Sequence, residues 1–268
     1  MKRLFIIIIF YLLPVTVNGL YASSAIPEQQ QANCASGNGN DCSNLGVLYE
    51  KGIGISQSYE KAFEFYEKAC HLNIGAGCSN LAVLYENGTG VKQDKSQSIN
   101  LFLKSCKLEY GIGCLNLGWM YENGNGVNPS YSKAADFYGE ACSYDVALAC
   151  GLLASMYDSG RGVTKNFTKS WELYTKACSL GFSNSCFNLG VMFDRGQGVK
   201  KNDSEAVGYY TKACQLNDAA ACLNLGIFHA IGRGVSQSNS VALVYFQKSC
   251  NLGLENGCAA SERLERSF

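Results

Sequence analysis

The sequence predicts an all-α protein: a right-handed α/α solenoid of about six full 36-residue helix pairs, ending in capping half-repeats and stapled by disulfides. Three observations predict it. The blocks NLGVLYEKGIGI (44–55), NLAVLYENGTGV (80–91), NLGWMYENGNGV (116–127), LLASMYDSGRGV (152–163), NLGVMFDRGQGV (188–199) and NLGIFHAIGRGV (224–235) stand 36 residues apart with no insertion. Cysteines keep the same beat, at 34/42, 70/78, 106/114, 142/150, 178/186, 214/222 and 250/258. Apolar and small residues inside each block recur at helical spacing, as Cys42, Leu45, Gly46 and Tyr49 do at i, i+3, i+4 and i+7. One such unit cannot cover its own apolar face, so units must stack.

In chain order, residues 1–25 read as a secretory signal peptide: Lys2 and Arg3, ten apolar residues from Leu4 to Leu13, Pro14, then small residues with cleavage between Gly19 and Ala25. Ten apolar residues are too few to span a bilayer. No cysteine precedes Cys34, which argues against a lipid anchor at the cleavage site, and no later apolar run reaches membrane length. The expected mature protein is a secreted or periplasmic monomer without a membrane anchor. Residues 26–40 form an N-terminal cap, 41–254 hold the six repeats (41–76, 77–112, 113–148, 149–184, 185–220 and 221–256), and 257–268 form a polar closing helix.

Within a repeat, the first helix carries a small residue at Gly46, Ala82, Gly118, Ala154, Gly190 and Gly226, where another helix can approach closely. It stops at a Gly-x-Gly, whose glycines accept positive φ at little steric cost. The second helix has a clear start. Ser58, Asp94, Ser130, Asn166, Asn202 and Ser238 share one register, and all are favoured N-cap residues, each worth about 1 kcal/mol over Ala. Beyond the cap, Ala62, Phe65, Tyr66 and Ala69 repeat the helical spacing and lead to Cys70.

Fourteen cysteines in an exported chain read as disulfides. Of roughly 10⁵ formal connectivities, pairing of neighbours is expected: Cys34–Cys42, Cys70–Cys78, Cys106–Cys114, Cys142–Cys150, Cys178–Cys186, Cys214–Cys222 and Cys250–Cys258. Each bridge would tie the end of one repeat's second helix to the start of the next repeat. Zinc prefers tighter ligand spacings, and the two histidines, His71 and His229, lie on different repeats, so no metal or other cofactor is expected. Lys and Arg total 22 and Asp and Glu 22, with no basic tract, which argues against nucleic acid and anionic membrane as partners.

The pattern N-L-G-x-x-Y-x-x-G-x-G-V followed by Y-x-K-A resembles the Sel1-like repeat, a relative of the tetratricopeptide repeat. With a cysteine pair at every junction, residues 41–268 resemble the Helicobacter cysteine-rich proteins, which are exported Sel1-like repeat proteins. That resemblance implies two activities: a scaffold for protein partners, or slow β-lactam hydrolysis or penicillin binding.

The residues weigh against the second. S-x-x-K occurs at Ser58–Lys61 and Ser130–Lys133, but both serines stand in the N-cap register, and neither S-D-N nor K-T-G is present. The expected function is therefore binding, in the concave groove, of a protein or peptide-like ligand, cell-wall peptide included, with weak β-lactamase activity as the alternative. Binding candidates come from comparing the repeats with one another. Trp119 stands where Val47, Val83 and Ser155 do, and Phe187 where Ser43, Ser79 and Gly151 do; each is a candidate anchor or a filler between repeats. The ladder of Asn44, Asn80, Asn116, Asn188 and Asn224 is unfavourable by helix propensity, so its amides should bond a neighbouring carbonyl or a ligand's peptide group. The acidic row Glu50, Glu86, Glu122, Asp158 and Asp194 is expected to be a solvated face.

Overall fold

The computed structural model describes residues 25–266. The leader expected over 1–25 lies outside them, except for Ala25. Among the described residues there are fourteen helices and no strand. A half-unit, α1 (Ala25–Ala35), precedes six pairs: α2 (Gly39–Lys51) with α3 (Tyr59–His71), α4 (Gly75–Asn87) with α5 (Lys95–Lys107), α6 (Gly111–Asn123) with α7 (Tyr131–Ser143), α8 (Ala147–Ser159) with α9 (Phe167–Ser179), α10 (Ser183–Arg195) with α11 (Asp203–Gln215), and α12 (Ala219–Ile231) with α13 (Asn239–Asn251). A last helix, α14 (Glu255–Glu265), packs on α13. Each helix packs on its sequence neighbours, and α2 on α4 and α4 on α6, the pattern of a one-dimensional stack.

Both helix ends are made by the residues that predict them. All six expected N-cap side chains accept a bond from the first turn, from Lys61, Gln97, Lys133, Lys169 and Val241 N–H at 3.0–3.3 Å and, for Asn202, from Ser204 and Glu205 N–H. Each first helix ends on the leading glycine of its Gly-x-Gly, in the left-handed region; Gly88 has φ 69° and Gly90 φ 70°. A side chain at Gly90 would also strike the backbone of Tyr59 at 2.7 Å, so the second glycine lets this loop lie against the preceding repeat.

The core is a row of rings from the second helices. Tyr66, Phe102, Tyr138 and Tyr210 are fully buried, and Tyr174 and Phe246 nearly so. Each packs against the small residue of its own repeat's first helix: a Cβ on Gly46, Gly118, Gly190 or Gly226 would lie 2.4–2.6 Å from the ring. The small-residue register therefore closes the helix pair.

Seven disulfides join the second helix of one unit to the first helix of the next, at Cys34–Cys42, Cys70–Cys78, Cys106–Cys114, Cys142–Cys150, Cys178–Cys186, Cys214–Cys222 and Cys250–Cys258. Among the described residues no cysteine is free. Such a framework is typical of proteins in an oxidising environment. No helix of the described residues is long and apolar enough to cross a membrane.

Candidate functional site

The stack sets the same register on neighbouring first helices side by side. Asn80 on α4 and Asn116 on α6 share one register, and Val83 and Trp119 share another one turn further on; all four are half-buried. Val83 and Trp119 pack against the same core cluster. The side-chain amides of Asn80 and Asn116 make no hydrogen bond among the described residues. The other two candidates lie further along the stack. Asn188, on α10, donates to Asn184 Oδ1 at 3.1 Å and lies beside the hydroxyl of Tyr174. Phe187 packs on Tyr210, ring centroids 5.7 Å apart, and fills space within its repeat.

The difference among the asparagines follows from the ring of the preceding repeat. Asn188 and Asn224 meet the hydroxyls of Tyr174 and Tyr210. Asn116 stands opposite the register of Phe102, which has no hydroxyl, and in the register facing Asn80 the hydroxyl of Tyr66 donates to Glu50 at 2.7 Å. Asn44 is exposed; among the half-buried members of the ladder, Asn80 and Asn116 are thus the two whose amides the fold leaves without a partner.

The acidic row is not the solvated face expected of it. Its carboxylates are half-buried, and all but Glu50 are bonded across repeats. Tyrosine hydroxyls donate to Glu50, Glu122 and Asp194. From the following repeat, the middle residue of Gly-x-Gly reaches back: Asn125 to Glu86 at 2.6 Å, Arg161 to Glu122 at 2.6 Å, Gln197 to Asp158 at 2.9 Å, and Arg233 to Asp194. Arg233 also pairs with Asp203 at 2.6 Å, and this bond holds the Asp203 carboxyl below its usual range. The row is an inter-repeat clamp. Its sequence signal was available: the middle residue is a hydrogen-bond donor at Asn125, Arg161, Gln197 and Arg233, each 39 residues after its acid.

Burial, with the neighbouring acid, raises the phenols of this row, to about 12 for Tyr174 and Tyr210. Glu86 lacks a tyrosine partner, because its repeat carries Phe102, and burial raises its carboxyl against the pull of Asn125 and Lys95. A raised folded pKa favours the protonated form, so the contribution is stabilising below the unfolded carboxylate range and is lost as pH rises through the folded value. Glu86→Gln keeps an acceptor for Asn125 and is expected to raise the melting temperature at pH 7. The gain should disappear near pH 4, as thermal melts at the two pH values will show.

The S-x-x-K pairs have other occupations. Ser58 Oγ and Ser130 Oγ accept the N–H of Lys61 and Lys133 as caps, at 3.2 and 3.3 Å. The lysines lie over the rings of Tyr49 and Tyr121, each 5.1 Å from the centroid. His71 is exposed, and His229 stacks on Tyr245 at 5.4 Å.

A second ladder appears at the bridges. Lys104, Lys176 and Lys248 donate to the carbonyls of Cys70, Cys142 and Cys214 at 2.7–2.8 Å. In the same register the third repeat has Glu140, whose Oε2 lies 3.0 Å from Cys106 Sγ. Cys106 and Cys114 are bonded to each other, so this trio offers no thiolate to a metal. Glu140→Lys restores a donor toward the Cys106 carbonyl and is expected to stabilise the protein by about 1–2 kcal/mol, measurable by denaturant titration.

The sequence of each repeat matches the Sel1 repeat model, over residues 41–74, 75–110, 111–143, 147–182, 183–218 and 219–254. Among solved structures, a protective antigen of uropathogenic Escherichia coli with an SLR fold is 28% identical, with TM-score 0.80, over 86% of this chain and 50% of that one. The chain thus spans about half the length of that antigen. A Sel1 repeat protein from Oxalobacter formigenes shares the fold at 23% identity and TM-score 0.72, over 84% of this chain and 99% of that one. Helicobacter pylori cysteine rich protein B is 37% identical over 47% of this chain and 91% of that one, with TM-score 0.40. Among curated proteins none matches the chain. With six matched repeats laid along six helix pairs, the chain belongs to the Sel1 repeat family.

Proposed function

We propose that this protein works outside the cytoplasm, in the periplasm or after secretion, as a scaffold whose first helices bind an extended protein or peptide-like segment, cell-wall peptide included. The observation that carries the reading is the pair of unpartnered, half-buried amides of Asn80 and Asn116 beside Trp119. Asn is a poor residue inside a helix, and here no bond within the fold offsets that preference. A peptide group supplies the missing donor and acceptor to each, and the indole supplies an apolar anchor. Because neighbouring donors already engage the acidic row, affinity is expected to change little with salt.

The test uses a Trp171→Phe protein, in which Trp119 is the sole tryptophan. Hits from an array of extended synthetic peptides are titrated against it, reading Trp119 fluorescence. Changing both Asn80 and Asn116 to Ala is expected to weaken binding about tenfold or more, at roughly one hydrogen bond's worth per amide. Unchanged affinity in that double variant would refute the assignment. β-Lactam hydrolysis is tested with a chromogenic cephalosporin on wild type, Ser58→Ala and Ser130→Ala. The capping geometry predicts that neither serine matters, and turnover that vanishes in either variant would overturn the scaffold reading.

A further inference from the structure

The fourth and fifth repeats form a cleft on the side that carries the second helices. In repeats one, three and four a lysine roofs the ring at the end of the first helix: Lys61 over Tyr49, Lys133 over Tyr121 and Lys169 over Tyr157, at 5.1–5.2 Å. In the fifth repeat the roofing register holds Glu205 and the ring is Phe193, stacked on Tyr209 with centroids 5.5 Å apart and planes 9° from parallel. One repeat earlier, Trp171 occupies a register filled by Phe63, Ile99 and Ala135, and its indole N–H is buried without a hydrogen-bond partner. Trp171, Phe193, Tyr209, Lys200, Lys201 and Glu205 line a cleft of about 740 Å³. On α11, next to Tyr209, Gly208 replaces Glu64, Asn100, Asp136 and Glu172 of the earlier repeats, and a Cβ there would meet nothing within 4 Å.

The charges at the cleft are unequally engaged. Asp203 at its edge is held by Arg233, whereas Lys200 and Lys201 are exposed and form no ion pair among the described residues. Two ammonium groups outside any ion pair, beside three aromatic side chains, with Asp203 held by Arg233 and Glu205 as the remaining carboxylate, can take a ring bearing a negative charge: the ring against the aromatics, its acid on the lysines.

We propose that this cleft is a second binding site, separate from the Asn80, Asn116 and Trp119 face, and that it takes an aromatic carboxylate, free in solution or at the end of a peptide. Trp171 makes the test direct. In a Trp119→Phe protein Trp171 is the sole tryptophan, and its fluorescence reports only this cleft. N-acetyl-phenylalanine serves as the free carboxylate, N-acetyl-phenylalanine amide as its neutral counterpart, and a short acidic peptide ending in phenylalanine as the chain-borne source. A saturable fluorescence change with either acid, and binding at least about tenfold weaker for the amide, is expected if one charge-assisted contact is lost. The Lys200→Ala, Lys201→Ala double variant should lose the same factor; both side chains are exposed, so folding, checked by circular dichroism, should be unaffected. The ratio of the two acids' affinities identifies the source. No saturable response to either acid, or equal affinity for acid and amide, would overturn the proposal without touching the first-helix face, which the Trp171→Phe titration reads independently.

Discussion

Removing one central bridge, by changing both Cys106 and Cys114 to Ala, is expected to destabilise the protein by about 2–3 kcal/mol, the loop-closure value for a ring of about nine residues. The bridge ties α5 to α6 at a junction where each unit otherwise touches only its neighbours. In a one-dimensional stack, weakening a central interface uncouples the two halves, whereas the same change at Cys250–Cys258 frees only α14. Denaturant unfolding of the central variant should therefore become broader or biphasic, and the terminal variant should show a small loss with one transition. Equal losses at both places would contradict the nearest-neighbour picture. Full reduction of all seven bridges should lower the melting temperature far more than either pair.

Tyr138→Ala should cost about 3–5 kcal/mol, the range for emptying a large, fully buried aromatic site. The ring is 0% exposed and lies against Gly118, which has no side chain to move into the space. Tyr138→Phe isolates the hydroxyl, which donates to Glu122 at 2.6 Å. It should cost only about 1 kcal/mol, because Arg161 still holds Glu122 and the register accepts phenylalanine at Phe102 and Phe246. Equilibrium denaturation of the two variants checks both values. A Phe variant as unstable as the Ala variant would mean that the clamp, and not the ring, holds the repeat.

The helix pair was legible because its signals are local. Ser58, Asp94 and their counterparts announce the second helix by chemistry, and the Gly-x-Gly pairs announce the turn by the φ values they alone adopt cheaply. The bridges followed from cysteines at a fixed beat in a chain with a leader-like start. What the sequence concealed were contacts one repeat away. The 39-residue offset from Glu122 to Arg161, or from Asp194 to Arg233, is neither a helical spacing nor the repeat period. It arises because the middle residue of Gly-x-Gly, three positions past the acid in each copy, leans back against the previous unit. The asparagine ladder divided for a similar reason. Asn188 and Asn116 look alike in sequence, but one meets the hydroxyl of Tyr174 and the other the register of Phe102.

A stapled, clamped stack leaves its specificity to those positions that the fold does not consume, and the amide pair beside Trp119 is the first of these. The direct test is the peptide titration of the Trp171→Phe protein, with and without Ala at both Asn80 and Asn116. The account predicts saturable binding that weakens about tenfold or more in the double variant and survives both Ser58→Ala and Ser130→Ala. Binding indifferent to the two asparagines, or activity abolished at either serine, would contradict it.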